Sequence, residues 1–166
     1  MQLQILMSLV FEANQKLIRH NCKWVDVKNE HIETVKNYAV GFGSKGFDKN
    51  LMDLNIKISF ASGTLIADNQ CLLVGGLVFS HEKVLNLWAI FNNPLRWKYR
   101  RQILYGIKTI LDIMLLSNAC HRVQYAIASN ERYSTTFPEH LGFTFESVMK
   151  NYGTDKTDYL MYVRLG

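Results

Sequence analysis

Four cations in one short run carry the clearest chemical potential in this chain. In Pro94-Leu95-Arg96-Trp97-Lys98-Tyr99-Arg100-Arg101-Gln102-Ile103, the charges Arg96, Lys98, Arg100 and Arg101 are interleaved with two aromatic rings. Clustered guanidinium and ammonium groups hold phosphate or carboxylate through charge-assisted hydrogen bonds. Aromatics among cations also suit stacking on single-stranded bases. The plainer alternative is a solvated helix start with Trp97 tucked into the core. The formal charge of +5 and a pI near 9.1 lean toward an anionic partner such as nucleic acid, a nucleotide cofactor or an acidic protein surface. Much of that excess sits in this run; the rest reads equally well as background.

Other reactive groups are sparse. Cys22, Cys71 and Cys120 are far apart and odd in number, which argues against a disulfide framework and suits a reducing compartment or burial as small hydrophobes. No paired-cysteine or His-x-x-x-His spacing occurs, so no metal site is expected. Gly41, Gly43 and Gly46 read as a plain linker, because no strand precedes them and no strong helix follows. Met1–Phe11 is apolar but short and is then broken by Glu12, Lys16 and Arg19, so neither a signal peptide nor a membrane span is expected.

The cationic run must be held by neighbouring elements, and these are legible. Hydrophobic residues make up 48% and charged residues 20% of 166 residues, enough for one domain with its own core. Before the run, Val84–Phe91 reads as a strand that turns at Asn92–Pro94. After it comes a helix over Leu95–Leu116, with Ile103, Ile107, Ile110, Leu111 and Met114 facing the core and Asn93 and Pro94 at its N-cap and first turn. Arg122–Ala128 is the next strand, so the unit is strand, crossover helix, parallel strand. Thr135–Leu141 reads as a short helix that Gly142 terminates in the left-handed conformation. Phe143–Asn151 and Tyr159–Leu165 close the chain as a hairpin.

Upstream, Gln2–His20 forms an amphipathic helix with Leu3, Met7, Val10, Phe11, Asn14, Leu17 and Ile18 on its apolar stripe. The stripe is broad enough to suggest two docking surfaces or a partner chain. Trp24–Lys28 reads as a strand ending at Asn29, an N-cap for a helix from Glu30 to about Ala39. Asp48–Asn55 is a short helix or loop. Ile56–Phe60, Thr64–Ala67 and Cys71–Phe79 read as strands of an antiparallel meander leading to Val84–Phe91. Gly75-Gly76 implies a bulge or a close backbone approach.

This order, with Gly75-Gly76 on the third strand, Asn93-Pro94 after the fourth, and Asn130 upstream of Leu141-Gly142-Phe143, resembles the GNAT superfamily of acyl-CoA N-acyltransferases from about Trp24 to Leu165. The resemblance implies an α+β fold, an α/β/α sandwich with a mixed, mostly antiparallel sheet and one central parallel pair. Met1–Lys23 is then a helical extension and residues 24–166 are the GNAT-like domain. It also implies an acetyl-CoA site, with pantetheine between splayed strands at Ala89, Ile90, Phe91 and Ala126–Ala128, Asn130 nearby, and pyrophosphate at the start of the long helix.

Two features of the resemblance are absent. The phosphate loop of the family is Arg/Gln-x-x-Gly-x-Gly/Ala, where a Cβ would block the phosphate; Pro94–Ile103 holds no glycine, the nearest being Gly106. Arg96, Lys98, Arg100 and Arg101 would have to grip by side chain. The general acid of many members is a tyrosine four residues before the motif glycine, and that position is Pro138. Tyr133 and Tyr152 are the substitutes by proximity in sequence, with Glu82 (after His81) as a base, although these also read as packing, surface and turn residues.

The double absence places a non-catalytic binding or assembly protein first, one resembling small GNAT-like proteins of tailed bacteriophages, with self-association or a protein partner at Met1–His20. It would be cytoplasmic, in a host cell or virion, with no cofactor. An acetyl-CoA-dependent transferase acting on a primary amine is the alternative, and nucleic-acid binding at Trp97 and Tyr99 a third.

Overall fold

Asp68 and Asn69 both take positive φ, 48° and 58°, the conformation of the tight hairpin turn whose twist matches that of the flanking strands. They join β2 (Ala61–Ala67) to β3 (Gln70–His81), and Glu82-Lys83 joins β3 to β4 (Val84–Phe91) in the same two-residue manner. Chain chemistry thus dictates an antiparallel meander, preceded at its outer edge by β1 (Lys23–Val25). The computed structural model describes residues 2–38, 49–131 and 135–166, with side chains throughout except at 2–7, 49 and 51. The Gly41, Gly43 and Gly46 turn, the Leu3 and Met7 side chains, and Tyr133 lie outside what is described.

The seven strands run in the order β1-β2-β3-β4-β5-β7-β6, where β5 is Arg122–Ala128, β6 Thr144–Met149 and β7 Tyr159–Leu165. Every neighbour pair is antiparallel except β4 with β5. Four further helices cover the two faces. On one face α1 (Gln2–Leu17) and α5 (Arg100–Leu116) bury Leu9, Ala13, Leu17, Ile103, Ile107, Leu111 and Met114 against Leu65, Leu73, Leu77 and Leu85. On the other, α2 (Asn29–Val35) and α3 (Lys49–Ile58) enclose a smaller core of Ile32, Val35, Met52, Val74 and Ile90. Among the described residues no helix is long and apolar enough to cross a membrane.

Several elements differ from their sequence reading. The buried face of α1 is Leu9, Ala13 and Leu17, while Phe11 and Ile18 are 66% and 68% exposed. The polar member of the expected stripe explains the rotation: Asn14 donates to Trp24 O at 2.9 Å and accepts from Trp24 N at 2.7 Å. It therefore serves as a strand partner for β1, and that duty fixes which side of α1 faces inward. β1 stops at Val25, short of Lys28, and α2 begins at Asn29 itself, with His31 Nδ1 accepting the Lys28 N–H at 3.2 Å.

Ile56–Ile58 is the last turn of α3 and not a strand; the strand begins at Ala61 and runs unbroken to Ala67. Gly75-Gly76 is a close approach with no bulge. A Cβ on Gly75 would meet Trp88 O at 2.8 Å, and one on Gly76 would meet Ala61 O at 2.7 Å. The helix expected over Leu95–Leu116 is two pieces, α4 (Asn93–Arg96) and α5, separated at Trp97–Tyr99. Asn92 holds the cap position of α4, so Asn93 is its first helical residue and not its cap. The last helix, α6 (Thr136–His140), ends as expected with Gly142 at φ 84°, left-handed.

Candidate functional site

The parallel pair is joined for only three residues on each strand: Val84 opposite Arg122, Leu85 opposite Val123, and Asn86 opposite Gln124. Beyond that joint β4 continues to Phe91 with only β3 as partner, and β5 continues to Ala128 with only β7. Each strand therefore turns one bare backbone edge toward the other, and the edges part around a cleft of about 240 Å³. Unpaired backbone groups are obligatory hydrogen-bonding sites. The opening therefore leaves unsatisfied ladder positions on both strands in the middle of the sheet.

Side chains pin the joint. Gln124 Nε2 donates to Asn86 Oδ1 at 2.9 Å and to Ser80 Oγ at 3.3 Å, while its Oε1 accepts from Arg122 Nε at 3.0 Å. Arg122 in turn forks onto the Glu146 carboxylate at 2.9 and 2.5 Å. The far end of β4 is anchored by buried Asn92, whose side chain donates to Cys71 O at 3.0 Å and whose N–H donates to Leu72 O at 2.8 Å. Contacts with β3 and β5 therefore fix β4 at both ends of the opening.

Alternation along the strands gives the cleft two sides. Toward α5 and α6 lie Leu87, Ala89, Phe91, Tyr125 and Ile127, in the same core as Leu111 and Leu141. Toward α2 lie Trp88, Ile90, Ala126, Ala128 and, from β7 opposite Ala128, Tyr159, with Tyr38 beside them. Glu131 also lines the cleft.

The α5 side opens past Arg96. Its guanidinium covers the Phe91 ring at 4.7 Å and the Phe137 ring at 5.2 Å, and those rings meet edge to face at 5.3 Å. A second hollow of about 360 Å³ adjoins there, lined by Trp97, Arg100, Ile103, Leu104, Phe137 and His140 as well as Arg96. Of the four cations expected to grip an anion, Arg96 borders both hollows and Arg100 borders the second. Lys98 instead covers the Tyr99 ring at 4.9 Å, and Arg101 is exposed outside both linings.

The plainer reading of this run tucks Trp97 into the core, but the ring that lies there is that of Tyr99. Tyr99 is buried, with its hydroxyl donating to Asp68 Oδ2 at 3.1 Å, whereas Trp97 is 61% exposed. The link to Asp68, itself held by Asn21 at 2.7 Å, draws Tyr99 inward and interrupts the helix between α4 and α5.

Ala89, Ile90 and Phe91 line the cleft, as do Ala126–Ala128, and Arg96 joins them. Asn130 is exposed in the turn after β5 and is not part of the lining. Pro138 is buried within α6. Tyr152 is 62% exposed and reaches the site only through its ring contact with Tyr159 at 5.3 Å. Glu82 sits exposed in the turn before β4, at the joined end of the strands, and Ile90 is roughly 25 Å along the strand from it.

Sequence reading passed over the tyrosines on β5 and β7. Tyr125 is 9% exposed, packs on Phe143 at 6.1 Å, and has its phenol pushed up to about 12, chiefly by burial. Arg96 opposes that rise and Glu131 adds to it. The Tyr159 phenol is also raised, by burial first and then by Asp155, Glu131 and Tyr152. Both rings therefore remain protonated donors at neutral pH. In sequence each looks like an ordinary strand aromatic; the only available signal was strand parity beside the splayed edges.

No protein-family model matches the chain, and no curated protein sequence matches it. Solved structures do. A spermidine N-acetyltransferase variant from Vibrio cholerae superposes with a TM-score of 0.69 at 13% identity, covering 88% of this chain and 94% of its own. A Bacillus subtilis acetyltransferase in complex with CoA gives 0.67 at 11% identity, covering 88% and 98%. A GNAT-family acetyltransferase from Bacillus anthracis gives 0.65 at 16% identity, covering 87% and 95%. At such identities the likeness is one of fold. The chain has the GNAT acyl-CoA N-acyltransferase fold, with a mixed seven-stranded sheet, one parallel pair and an N-terminal helix.

Proposed function

We propose that this protein binds an acyl-CoA in the β4–β5 cleft and passes the acyl group to a primary amine. One observation carries the reading: the parallel strands separate after Asn86 and Gln124 and leave two bare edges around an open cleft. Had the site decayed, side chains would be expected to fill the gap or the edges to pair. A pantetheine arm carries amides that match those edges, and Arg96 and Arg100, which line the adjoining hollow, supply positive charge for its phosphates in this reading. Side-chain cations replace the glycine cradle, a grip of different geometry and equal charge logic. The thioester supplies an activated carbonyl that an amine attacks directly, so no nucleophilic side chain is required. Calorimetric titration with CoA and acetyl-CoA tests this: saturable binding at micromolar to sub-millimolar concentration is expected, and no heat up to millimolar ligand overturns it.

A second reading, a non-catalytic binding or assembly role of the kind a phage or virion accessory protein performs, has its own support. Pro138 offers no proton at the α6 position, and Phe11 on α1 and Ile18 in the turn that follows it present exposed apolar surface. Deleting α1 is a poor test, because Leu9 and Leu17 belong to the main core. Replacing Phe11 and Ile18 together by Ser leaves that core intact. Loss of an oligomer or complex in sedimentation supports the reading, and an unchanged monomer counts against it.

A further inference from the structure

Behind β4, on the face covered by α1 and α5, the sheet and the two helices enclose a further cavity of about 70 Å³. Its cause lies in the residues of three strands. Gly63 on β2 is paired with Gly75 on β3, and Gly75 in turn with Ala89 on β4. Strand alternation puts all three on the same face as Leu65, Leu73, Leu77 and Leu87, whose side chains stand on either side of them. Val10 from α1 and Ile107 and Ile110 from α5 line the gap from above and leave it open.

The cavity and the cleft have Leu87, Trp88 and Ala89 in common. Leu87 and Ala89 pack against the main core and yet stay partly accessible, because each borders a hollow on both sides. At Ala89 the wall between the two hollows is one methyl group high. The interior beyond it is chemically plain. Trp24 donates its indole N–H to Gly106 O at 3.1 Å, and Trp88 donates its own to Ser59 Oγ at 3.0 Å. Ser62 and Asp26 belong to the β1–β2 edge of the sheet, so the part nearest β4 is aliphatic. A space of this kind stays dry and accepts apolar groups.

We infer that this cavity receives the acyl chain of the thioester, so that the protein prefers an acyl group longer than acetyl. The inference rests on the acyl-CoA reading above. A pantetheine arm along the bare edges of β4 and β5 brings its thioester beside Leu87 and Ala89. A chain that passes over the Ala89 methyl then enters the gap above Gly75. Capacity follows from volume: an apolar cavity of about 150 Å³ takes benzene, so one of about half that size takes roughly three carbons beyond the carbonyl. That is a butanoyl group, and an acetyl group leaves most of the space empty. The transfer itself keeps its balance. The amine nitrogen bonds to the carbonyl carbon, the C–S bond breaks with its electron pair left on sulfur, nitrogen gives its proton to water, and the thiolate takes one from water.

The test titrates CoA, acetyl-CoA, butanoyl-CoA and octanoyl-CoA calorimetrically into the wild type and into Val10→Phe, with thermal melting confirming that each protein is folded. A buried methylene is worth about fourfold in affinity, so butanoyl-CoA should bind the wild type roughly tenfold tighter than acetyl-CoA. Octanoyl-CoA, too long for the cavity, should gain nothing further. The ring of Val10→Phe occupies the gap and should bring the butanoyl-to-acetyl ratio to within about twofold. Val10→Leu, one methylene larger than the wild type, should lower the same ratio in part and replaces Val10→Phe if that variant does not fold. Equal affinities of the wild type for acetyl-CoA and butanoyl-CoA overturn the inference. So does an affinity that climbs steadily through octanoyl-CoA, or a ratio that neither variant moves. In each of those outcomes CoA itself still binds and the acyl-CoA reading stands; if CoA does not bind the wild type, that reading fails and takes this inference with it.

Discussion

Arg96 stands on the border between the cleft and the second hollow, stacked on two phenylalanines. Its guanidinium therefore does two things at once, lying over the two rings and placing a charge where both hollows meet. Replacing it with Met keeps much of the packing and removes the charge. Arg96→Met should weaken CoA binding about tenfold and reduce the salt dependence of affinity, whereas Arg101→Met, outside both linings, should change neither. Calorimetry at two ionic strengths reads both effects, and equal losses from the two variants would show a diffuse field in place of a defined grip.

α1 contributes to the fold through the side chains that sequence periodicity ranked unevenly. Leu17 is fully buried in the core it shares with Ile103, Leu111 and Leu65. Leu17→Ala should cost about 2–5 kcal/mol in urea unfolding, the range for a buried leucine cavity, while Ile18→Ala, at an exposed position, should stay within about 0.5 kcal/mol. The expected stripe was displaced because a single polar residue, Asn14, hydrogen-bonds the backbone of β1, a tertiary contact that no helical wheel contains. β5 was readable to the residue, since Arg122–Ala128 is an alternating run between clear turns. Ile56–Ile58 was misread for the opposite reason: three residues of alternation fit the end of an amphipathic helix as well as a strand. The break between α4 and α5 was hidden because it depends on Tyr99 meeting Asp68, distant in sequence. The cleft edges at Ala89–Phe91 and Ala126–Ala128 were legible through the family resemblance; Tyr125 was not, because a strand tyrosine gives no sign in sequence of bordering a cleft.

Across the molecule, the burial that builds the core also ties its stability to pH. Cys22 and Cys71 are lifted from an ordinary 9.0 to about 11 by burial. A raised pKa means that the folded state holds its proton longer than the unfolded chain. The stabilising contribution is therefore complete below about pH 9 and is lost as pH rises through 11. Urea midpoints measured from pH 8 to 11 should fall for the wild type more steeply than for Cys22→Ala, after allowing for the constant offset from the smaller side chain. Parallel curves would mean that the thiol titrates alike in both states. At neutral pH neither thiol is a nucleophile of consequence.

The three-residue joint between β4 and β5 also has a consequence for how the chain assembles. All strand pairings on the N-terminal side of that joint are hairpins or near neighbours in sequence, apart from the β1–β2 pairing. Those on the other side involve only residues from Arg122 onward. The sheet is therefore two nearly self-contained halves bridged by α5 and a narrow seam. During synthesis the first half can close before residues 122–166 have left the ribosome, and β5 then docks onto a finished edge. Pulse-labelling hydrogen exchange during refolding should show β2–β4 amides protected before those of β5–β7; simultaneous protection would mean that the two halves form as one cooperative unit.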